Sequence, residues 1–215
     1  MDKEYFIEKR PYMYHLTDRR NINSIMSDKK IFSTVSLVNS SEMENSSSFL
    51  KRRRDKESRN TPILVDGVSV YIRDQHPINS ALYRCLTDGV CTVEQFIYHL
   101  NKRVFMWPSY KRMYNHFQTY KNDNPIILRF STQVLFELNP NNIKLSKINS
   151  GATRCVGYYG GNPAPRGLNT FKTFAQLADS KIGDIAEVTF ENECKLPESF
   201  YISNLPNGPW SLINC

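Results

Sequence analysis

The sequence predicts one α+β domain that spans residues 1–215, and three observations support this interpretation. The length of 215 residues lies near the usual size of a single domain. A composition with 40% hydrophobic and 23% charged residues is typical of a soluble globular protein. Helical patterns fall mainly in the middle of the chain and strand patterns at both flanks, which favours a mixed α+β fold over a repeated βαβ unit.

The first third of the chain contains one helix signal and one hairpin signal. Residues 17–18 can cap a helix whose apolar positions follow at helical spacing, and that helix should end near residues 28–30. Residues 39–48 are polar and predict a mobile loop. Residues 63–72 alternate enough to predict a strand, or a hairpin that turns at residues 66–67.

Helix starts dominate the middle of the chain. Pro77 stands where proline favours the first position of a helix. Thr92 with Gln95 three residues later forms a capping box for a second helix, and Pro108 precedes a third that carries an aromatic stripe. Three later segments are interpreted as strands, at residues 125–130, 133–138 and 184–191.

Basic residues outnumber acidic ones, and much of the excess lies in one segment. Lys and Arg total 28 against 21 Asp and Glu, which gives a net charge of +7 and a pI of about 9.1. Residues 51–59 carry six cations and two acids, so more than half of the net charge lies there. This balance favours a polyanionic partner such as nucleic acid or an anionic membrane surface. The run Arg52, Arg53 and Arg54 is either a solvated basic loop or a clamp for a diphosphate.

The cysteines, histidines and apolar residues argue against several classes of protein. The five cysteines are odd in number, scattered and never spaced as Cys-x-x-Cys, which disfavours a disulfide framework and a zinc ribbon. His76, His99 and His116 stand apart without ligand spacing. The first fifteen residues lack the apolar core of a secretory signal, and no window approaches ~18 uninterrupted apolar residues. We therefore expect a cytoplasmic protein with no metal and no membrane segment.

Two short segments hold residue types that catalysis uses, and each has an ordinary structural alternative. Residues 14–17 place a histidine ahead of the first helix, where a capping or packing role is the commoner outcome. Glu187 lies in a strand whose neighbours Ala186 and Val188 should face the core. Its side chain then faces the other way, either toward solvent or into a cleft, and the residues alone leave both alternatives open.

Four short motifs follow one another over nearly the whole chain. The first is Tyr-His-x-Thr with a downstream Asn, at residues 14–21, and the second is three consecutive arginines ahead of a strand, at residues 52–72. The third is a Ser followed three positions later by a Tyr at the start of a helix, at residues 80–83. The fourth is Ala-Glu-Val followed by a turn that contains Pro, at residues 186–198. In order and spacing they resemble the DarT-type ADP-ribosyltransferase toxins of bacteria. The sequence departs from that family at residues 72–77, where an aromatic run is replaced, and at residues 88–124, which do not match.

The resemblance implies an ADP-ribosyltransferase-like split β-core with peripheral helices, in which NAD lies as co-substrate between two small sheets. By the same resemblance Glu187 is the catalytic carboxylate and Arg53 the arginine that contacts NAD. The implied NAD-binding residues are His15, Thr17, Asn21, Arg52, Arg54 and Tyr71, of which the first two would hold the nicotinamide-side ribose and carboxamide. Arg52 and Arg54 stay open as alternatives to Arg53, because a loop can slip by one residue.

The chemistry of ADP-ribosyl transfer suits these residue types. Breaking the bond between nicotinamide and ribose passes through an oxocarbenium-like state, as in glycoside cleavage. A carboxylate beside the ribose stabilises the developing positive charge and can deprotonate the incoming nucleophile. Arginine fixes the pyrophosphate, so that the sugar is held at the right distance from its acceptor. The reaction needs no metal.

A basic and aromatic segment indicates the acceptor. Residues 99–121 hold five Lys or Arg, no acid and six aromatic rings, a mixture that single-strand-binding surfaces use. The alternative is an amphipathic helix whose aromatic rings are core and whose charges are solvated. Residues 148–153 and 166–171 precede the strand of Glu187, where this superfamily usually recognises its substrate. The predicted nucleic-acid-binding residues are Lys102, Arg103, Lys111, Arg112 and Arg166.

We therefore expect an enzyme, an NAD-dependent transferase that moves ADP-ribose onto a base of single-stranded DNA or RNA. Such an enzyme would damage its own host, so the resemblance implies a toxin held in check by an antitoxin, acting in growth arrest or against phage. The alternatives are ADP-ribosylation of a protein, hydrolysis of NAD, or a non-catalytic nucleic-acid-binding module.

Overall fold

The computed structural model describes residues 1–44, 46–51, 60–72, 82–87, 91–153 and 164–215. The helices in these ranges are α1 (Lys3–Lys9), α2 (Ile22–Asp28), α3 (Thr34–Asn39), α4 (Ser46–Lys51), α5 (Leu82–Cys85), α6 (Val93–Asn101), α7 (Tyr110–Tyr120) and α8 (Thr132–Leu138). The strands are β1 (Tyr12–Asp18), β2 (Lys30–Phe32), β3 (Ile63–Val65), β4 (Val68–Val70), β5 (Arg103–Met106), β6 (Pro125–Ser131), β7 (Ile143–Ser146), β8 (Glu187–Glu191), β9 (Glu193–Lys195), β10 (Ser199–Ser203) and β11 (Ser211–Asn214).

The strands pair in four antiparallel sheets. The largest has the order β1-β6-β10-β11, and the next has the order β5-β8-β7. Two small sheets pair β2 with β9 and β3 with β4. The two larger sheets meet where β1 passes the end of β5. There the backbone N–H groups of Tyr14 and Trp107 donate to each other's carbonyl oxygens at 3.0 and 2.8 Å.

The main hydrophobic core lies between the two larger sheets. Leu128 and Phe130 of β6 face Val188 and Phe190 of β8 across it, and Phe136 of α8 is fully buried beside them. Burying one such side chain contributes about 1.5–3 kcal/mol. Because side chains alternate along a strand, the odd-numbered residues of β8 face away from this core. The predicted orientation of Val188 and Phe190 is thereby confirmed.

Several predicted elements are confirmed, each with its local cause. Asp18 accepts from the backbone N–H of Arg20 and caps the turn that leads into α2. Strands β3 and β4 form the predicted hairpin, and its turn residues Asp66 and Gly67 have φ angles of 48° and 75°. Both bonds of the capping box on α6 are present at 3.2 and 2.8 Å. Strand β6 covers the predicted residues 125–130.

Other predictions about secondary structure are wrong. Residues 133–138 form most of helix α8 rather than a strand, because Ser131 caps a helix on which Leu135 and Phe136 are buried while Val134 and Leu138 are exposed. The polar segment at residues 39–48 is not one loop, since α3 ends at Asn39 and α4 begins at Ser46. The sequence patterns did not predict strands β2, β5, β7, β9, β10 and β11 or helices α1, α3 and α4. The predicted helix start at Pro77 lies outside the described residues.

The described chain is a mixed α+β structure with several small antiparallel sheets. Within the described ranges, no helix has the length and apolar character needed to cross a bilayer.

Candidate active site

A cleft opens beside the crossing of β1 and β5. It encloses about 970 Å³ of empty space, part of it continuous with solvent. Four predicted NAD-binding residues line it, namely His15, Thr17, Asn21 and Tyr71. These residues come from β1, the turn after β1 and the end of the β3–β4 hairpin. The fold therefore brings together side chains that lie up to 56 positions apart in the sequence.

His15 is held in one neutral form at the side of the cleft. Its Nδ1 lies 2.9 Å from the carbonyl oxygen of Phe105, and since a carbonyl only accepts, Nδ1 carries the proton. Burial lowers the pKa of His15 to about 4, and the bond to Phe105 opposes that shift. The imidazole is therefore neutral near pH 7, and its Nε2 remains a hydrogen-bond acceptor.

Asn21 joins the β1 segment to the hairpin with two hydrogen bonds. Its Nδ2 donates to the Tyr71 carbonyl oxygen at 2.7 Å, and its Oδ1 accepts from the Tyr71 N–H at 2.9 Å. The same Nδ2 lies 3.4 Å from the Thr17 hydroxyl oxygen. Asn21 and Thr17 are both buried. The wall of the cleft is therefore held by hydrogen bonds from one side-chain amide to the backbone of Tyr71.

An arginine covers the ring of Tyr71 at the same wall. The Arg20 guanidinium carbon lies 3.4 Å from the centre of the Tyr71 ring. Its Nε and Nη2 donate to the two oxygens of Asp18 at 2.9 and 2.8 Å, so the guanidinium is held in a bidentate ion pair. This geometry fixes Tyr71 through both its backbone and its ring.

Glu187 begins strand β8 and is fully buried, with an exposed fraction of 0%. The Ser150 N–H donates to Oε1 at 3.1 Å, while Oε2 is buried with no hydrogen-bond partner among the described residues. Burial raises the pKa of this carboxyl to about 7, although Ser150, Arg166 and Arg112 oppose the shift. The sequence predicted that the Glu187 side chain lies on a solvent-exposed face or lines a cleft, and neither alternative predicted its complete burial.

The segments at residues 148–153 and 166–171, which the sequence singled out only by their position, lie beside this carboxyl. Arg166 Nη1 donates to the carbonyl oxygens of Ser150 and Ala152 at 2.7 and 3.0 Å, and its Nε donates to the Ala164 carbonyl at 3.1 Å. Ser150 in turn donates its N–H to Glu187. Arg166 thus fixes the loop that holds the carboxylate. Sequence reasoning missed the role of Ser150, although its segment precedes the strand of Glu187.

Glu187 shares its sheet face with residues of the cleft. Phe105 pairs with Thr189, and Arg103 pairs with Glu191, in the register of β5 and β8. Directly opposed residues lie on one face, and Glu187 lies on that face by alternation. Phe105 and Arg103 both line the cleft, whereas Glu187 is not among its lining residues. The carboxyl therefore lies on the sheet that forms one side of the cleft.

A family of unknown function, DUF7002, matches residues 11–199. The chain belongs to this family. No curated protein and no solved structure matches the chain. The DUF7002 match includes the cleft residues, Glu187 and the two segments that support it, so the geometry described above lies within the part of the chain that the family covers.

In this DUF7002 protein, two of the predicted nucleic-acid-binding residues are buried. Arg103 lies with its guanidinium 4.3 Å from the Phe171 ring centre and 3.6 Å from Glu191. Arg166 binds backbone carbonyl oxygens beside Glu187. The exposed fractions of the two residues are 7% and 3%, which leaves neither side chain on a surface that a nucleic acid contacts. We therefore correct the prediction for both residues, whose guanidinium groups contact other parts of the protein interior.

The other three predicted residues are at least partly accessible and differ in their surroundings. Lys102 forms an ion pair with Glu191 at 2.7 Å. Lys111 is exposed on α7. Arg112 is half-buried, and its pKa is lowered by burial while Glu187 opposes that shift. Arg112 therefore lies within electrostatic reach of the carboxyl, whereas Lys102 belongs to the opposite end of β8.

The predicted arginine clamp at Arg52, Arg53 and Arg54 lies outside the described residues. The pairing of Arg53 with Glu187 accordingly stays a prediction. Among the side chains that the structure describes, no three His, Cys, Asp or Glu groups come together as a metal site would require.

Proposed function

We propose that this DUF7002 protein is an NAD-dependent mono-ADP-ribosyltransferase that modifies a base of single-stranded DNA or RNA, as a toxin restrained by an antitoxin. One observation carries the proposal. His15, Thr17, Asn21 and Tyr71, which the resemblance assigns to NAD, line one cleft. The carboxyl that the resemblance assigns to catalysis is buried on the sheet beside that cleft.

The lining of the cleft fits the nicotinamide half of NAD. Nε2 of His15 is an acceptor for a carboxamide N–H or a ribose hydroxyl, and the Thr17 hydroxyl lies on the same side of β1. The rings of Tyr71 and Phe105 supply apolar walls for a flat heterocycle. Bound NAD supplies an activated ribosyl carbon with nicotinamide as the leaving group.

Glu187 is suited to a proton transfer near neutral pH. A general base works best when its pKa lies near the operating pH, and the pKa of Glu187 is raised to about 7 by burial. Oε2 has no hydrogen-bond partner among the described residues, so it can take up a proton, and because it is buried the acceptor base must displace the groups that cover the carboxyl to reach it. In this account Ser150 and Arg166 act as positioning residues, because they orient the carboxyl through Oε1.

The proposal is tested by incubating the protein with labelled NAD and separate pools of DNA, RNA and protein. We expect label in single-stranded nucleic acid, and a loss of about 10²–10³-fold in Glu187→Gln. Glu191→Gln is the matched control, since Glu191 lies on the same strand and face, and it should retain wild-type transfer. Label confined to protein, or free nicotinamide without labelled polymer, would instead identify a protein target or NAD hydrolysis.

The complete burial of Glu187 favours a second candidate, a non-catalytic nucleic-acid-binding module. In that case the carboxyl is only structural and NAD does not bind. A ligand that binds the folded state raises its thermal stability, so an NAD titration followed by thermal unfolding separates the two candidates. No shift with NAD, together with salt-sensitive binding of oligonucleotides, would favour the module.

A further inference from the structure

Helix α7 covers part of the outer face of the four-stranded sheet, and the rest of that face carries aromatic rings that are partly open to solvent. Tyr14, Arg129 and Tyr201 are register partners on three adjacent strands, so they form a line across the sheet. Tyr12 lies two residues before Tyr14 and therefore on the same face. Trp210 packs beside Tyr14, with ring centres 6.2 Å apart. We call these five residues the aromatic face.

The rings of the aromatic face surround a single guanidinium. The Cζ atom of Arg129 lies 4.9, 4.5 and 4.3 Å from the ring centres of Tyr12, Tyr201 and Trp210. Its Nε is buried and has no hydrogen-bond partner among the described residues. Among the ion pairs of the described residues, none involves Arg129. A cation held between rings without an acidic neighbour is suited to an anionic ligand that also presents flat apolar groups.

Helix α7 extends the aromatic face. Its rings Tyr110 and Tyr114 stack with centres 6.0 Å apart, and the Tyr110 hydroxyl donates to Asn207 in the loop before Trp210. The exposed fractions of Tyr12, Tyr110, Tyr114 and Tyr201 lie between 37% and 44%. Clusters of exposed aromatic rings on a soluble protein mark interaction sites. Here the hydrogen bond to Asn207 fastens the loop, so the surface is built before a ligand arrives.

We infer that the aromatic face and the start of α7 bind single-stranded nucleic acid, with bases stacked on the tyrosines and a phosphate at Arg129. Exposed rings on a four-stranded sheet are a platform on which proteins stack unpaired bases. The guanidinium of Arg129 and the exposed Lys111 complement the phosphates. A protein partner would use the rings equally well, but a guanidinium that forms no ion pair within the described part of the chain favours a ligand that repeats negative charge.

The face also leads toward Glu187. Arg112 follows Tyr110 on α7 and interacts electrostatically with both Glu187 and Arg10, which precedes β1. A strand on the aromatic face would pass the start of α7, the helix whose Arg112 lies within electrostatic reach of the buried carboxyl. The statement that the bound strand is the substrate rests on the proposed transferase function. The binding of the strand does not, because it needs neither NAD nor Glu187.

The inference is tested by the fluorescence anisotropy of labelled single-stranded oligopyrimidines, DNA and RNA, without NAD. Tyr201→Ala and Tyr12→Ala should bind roughly 10- to 100-fold more weakly than the wild type. Tyr201→Phe should bind like the wild type, because stacking needs the ring and not the hydroxyl. Tyr5→Ala, which removes an exposed tyrosine of α1, is the matched control and should bind unchanged.

Two further variants sharpen the test. Arg129→Gln should lower the slope of log affinity against log salt by about 1, as expected for the loss of one phosphate contact. Glu187→Gln should bind as tightly as the wild type, so a failed transferase and a failed binding surface give different results. Three results would overturn the inference. The first is that Tyr201→Ala and Tyr12→Ala bind as tightly as Tyr5→Ala. The others are that the protein binds duplex as tightly as single strand, or that Tyr201→Ala changes only the self-association of the protein.

Discussion

Strand β8 begins and ends with glutamates that lie on the same face of one sheet and in opposite environments. Glu191 is half-exposed and bonded to Lys102 at 2.7 Å, and this contact, with smaller contributions from Arg103, lowers the pKa of its carboxyl. Glu187 is fully buried, receives one backbone N–H and has a pKa raised to about 7. Two carboxyls four residues apart are therefore ionised over different pH ranges.

The comparison shows that surroundings rather than residue type decide which carboxyl suits proton transfer. Lys102 ion-pairs directly with Glu191, so that carboxylate is stabilised at neutral pH. The cations near Glu187 act at a distance or bind other groups, since Arg166 uses its Nη1 on the carbonyl oxygens of Ser150 and Ala152. Pairs of carboxyls whose environments separate their pKa values are a recurrent feature of acid–base sites.

The largest expected effect follows from removing the support of Glu187. Arg166→Ala leaves the carbonyl oxygens of Ser150 and Ala152 without their donor and removes a buried charge near the carboxyl. We expect a loss of about 4 kcal/mol in the free energy of unfolding. Chemical denaturation measures it. Arg84→Ala is the control, because Arg84 is exposed and its replacement should change stability by less than about 0.5 kcal/mol. Equal effects of the two variants would contradict the internal role of Arg166.

A second prediction concerns the cost of ionising Glu187. Its folded pKa of about 7 lies above the ordinary value of 4.5, so the folded state keeps a proton that the unfolded state has lost, and stability falls as the pH rises from 4.5 to 7. Glu187→Gln should therefore be more stable than the wild type above that window, by up to about 3 kcal/mol. Thermal unfolding of both proteins across the pH range tests this.

The sign of the pH dependence is the control for this prediction. Below about pH 4.5 the carboxyl is protonated in both states, so the advantage of Glu187→Gln should vanish there. Glu191→Gln should show no gain at alkaline pH, because its carboxylate is stabilised by Lys102. A Glu187→Gln variant that is less stable than the wild type at alkaline pH would mean that the carboxylate is satisfied in the folded state.

The smallest expected effect lies at the other end of β8. Lys102→Met removes the partner of Glu191 from a site where both side chains are about one-third exposed. Pairs of this kind are worth about 0–1 kcal/mol, so we expect a loss of at most about 0.5 kcal/mol, and less at high salt. Chemical denaturation at low and high salt tests the size and the salt dependence. A loss as large as that of Arg166→Ala would remove the contrast between the two ends of the strand.

The predictions that succeeded rest on short-range signals. Thr92 and Gln95, which form the capping box, lie three positions apart, and the hairpin depends on the positive φ angles of two adjacent residues. The strand prediction for residues 133–138 is wrong because their apolar positions fit the period of a strand and that of a helix. The N-cap at Ser131 favours the helix. A local pattern thus predicts an element only when no competing cap lies beside it.

The candidate site depends on contacts that no local pattern carries. Alternation along β8 predicted the face of Glu187, but its burial comes from residues 150 and 166, which lie 37 and 21 positions away. The bonds between Asn21 and Tyr71 span 50 positions, and only the resemblance named both residues. Two of five predicted cations, Arg103 and Arg166, are buried, since net charge does not reveal which guanidinium groups serve the interior.

The most direct measurement of the central claim is the titration of the Glu187 carboxyl by carbon-detected NMR, with and without NAD. We predict a pKa of about 7 for Glu187, well above that of Glu191, and a change in the Glu187 signal when NAD is added. A pKa near the ordinary value of 4.5 that NAD leaves unchanged would contradict a poised carboxyl beside a dinucleotide site.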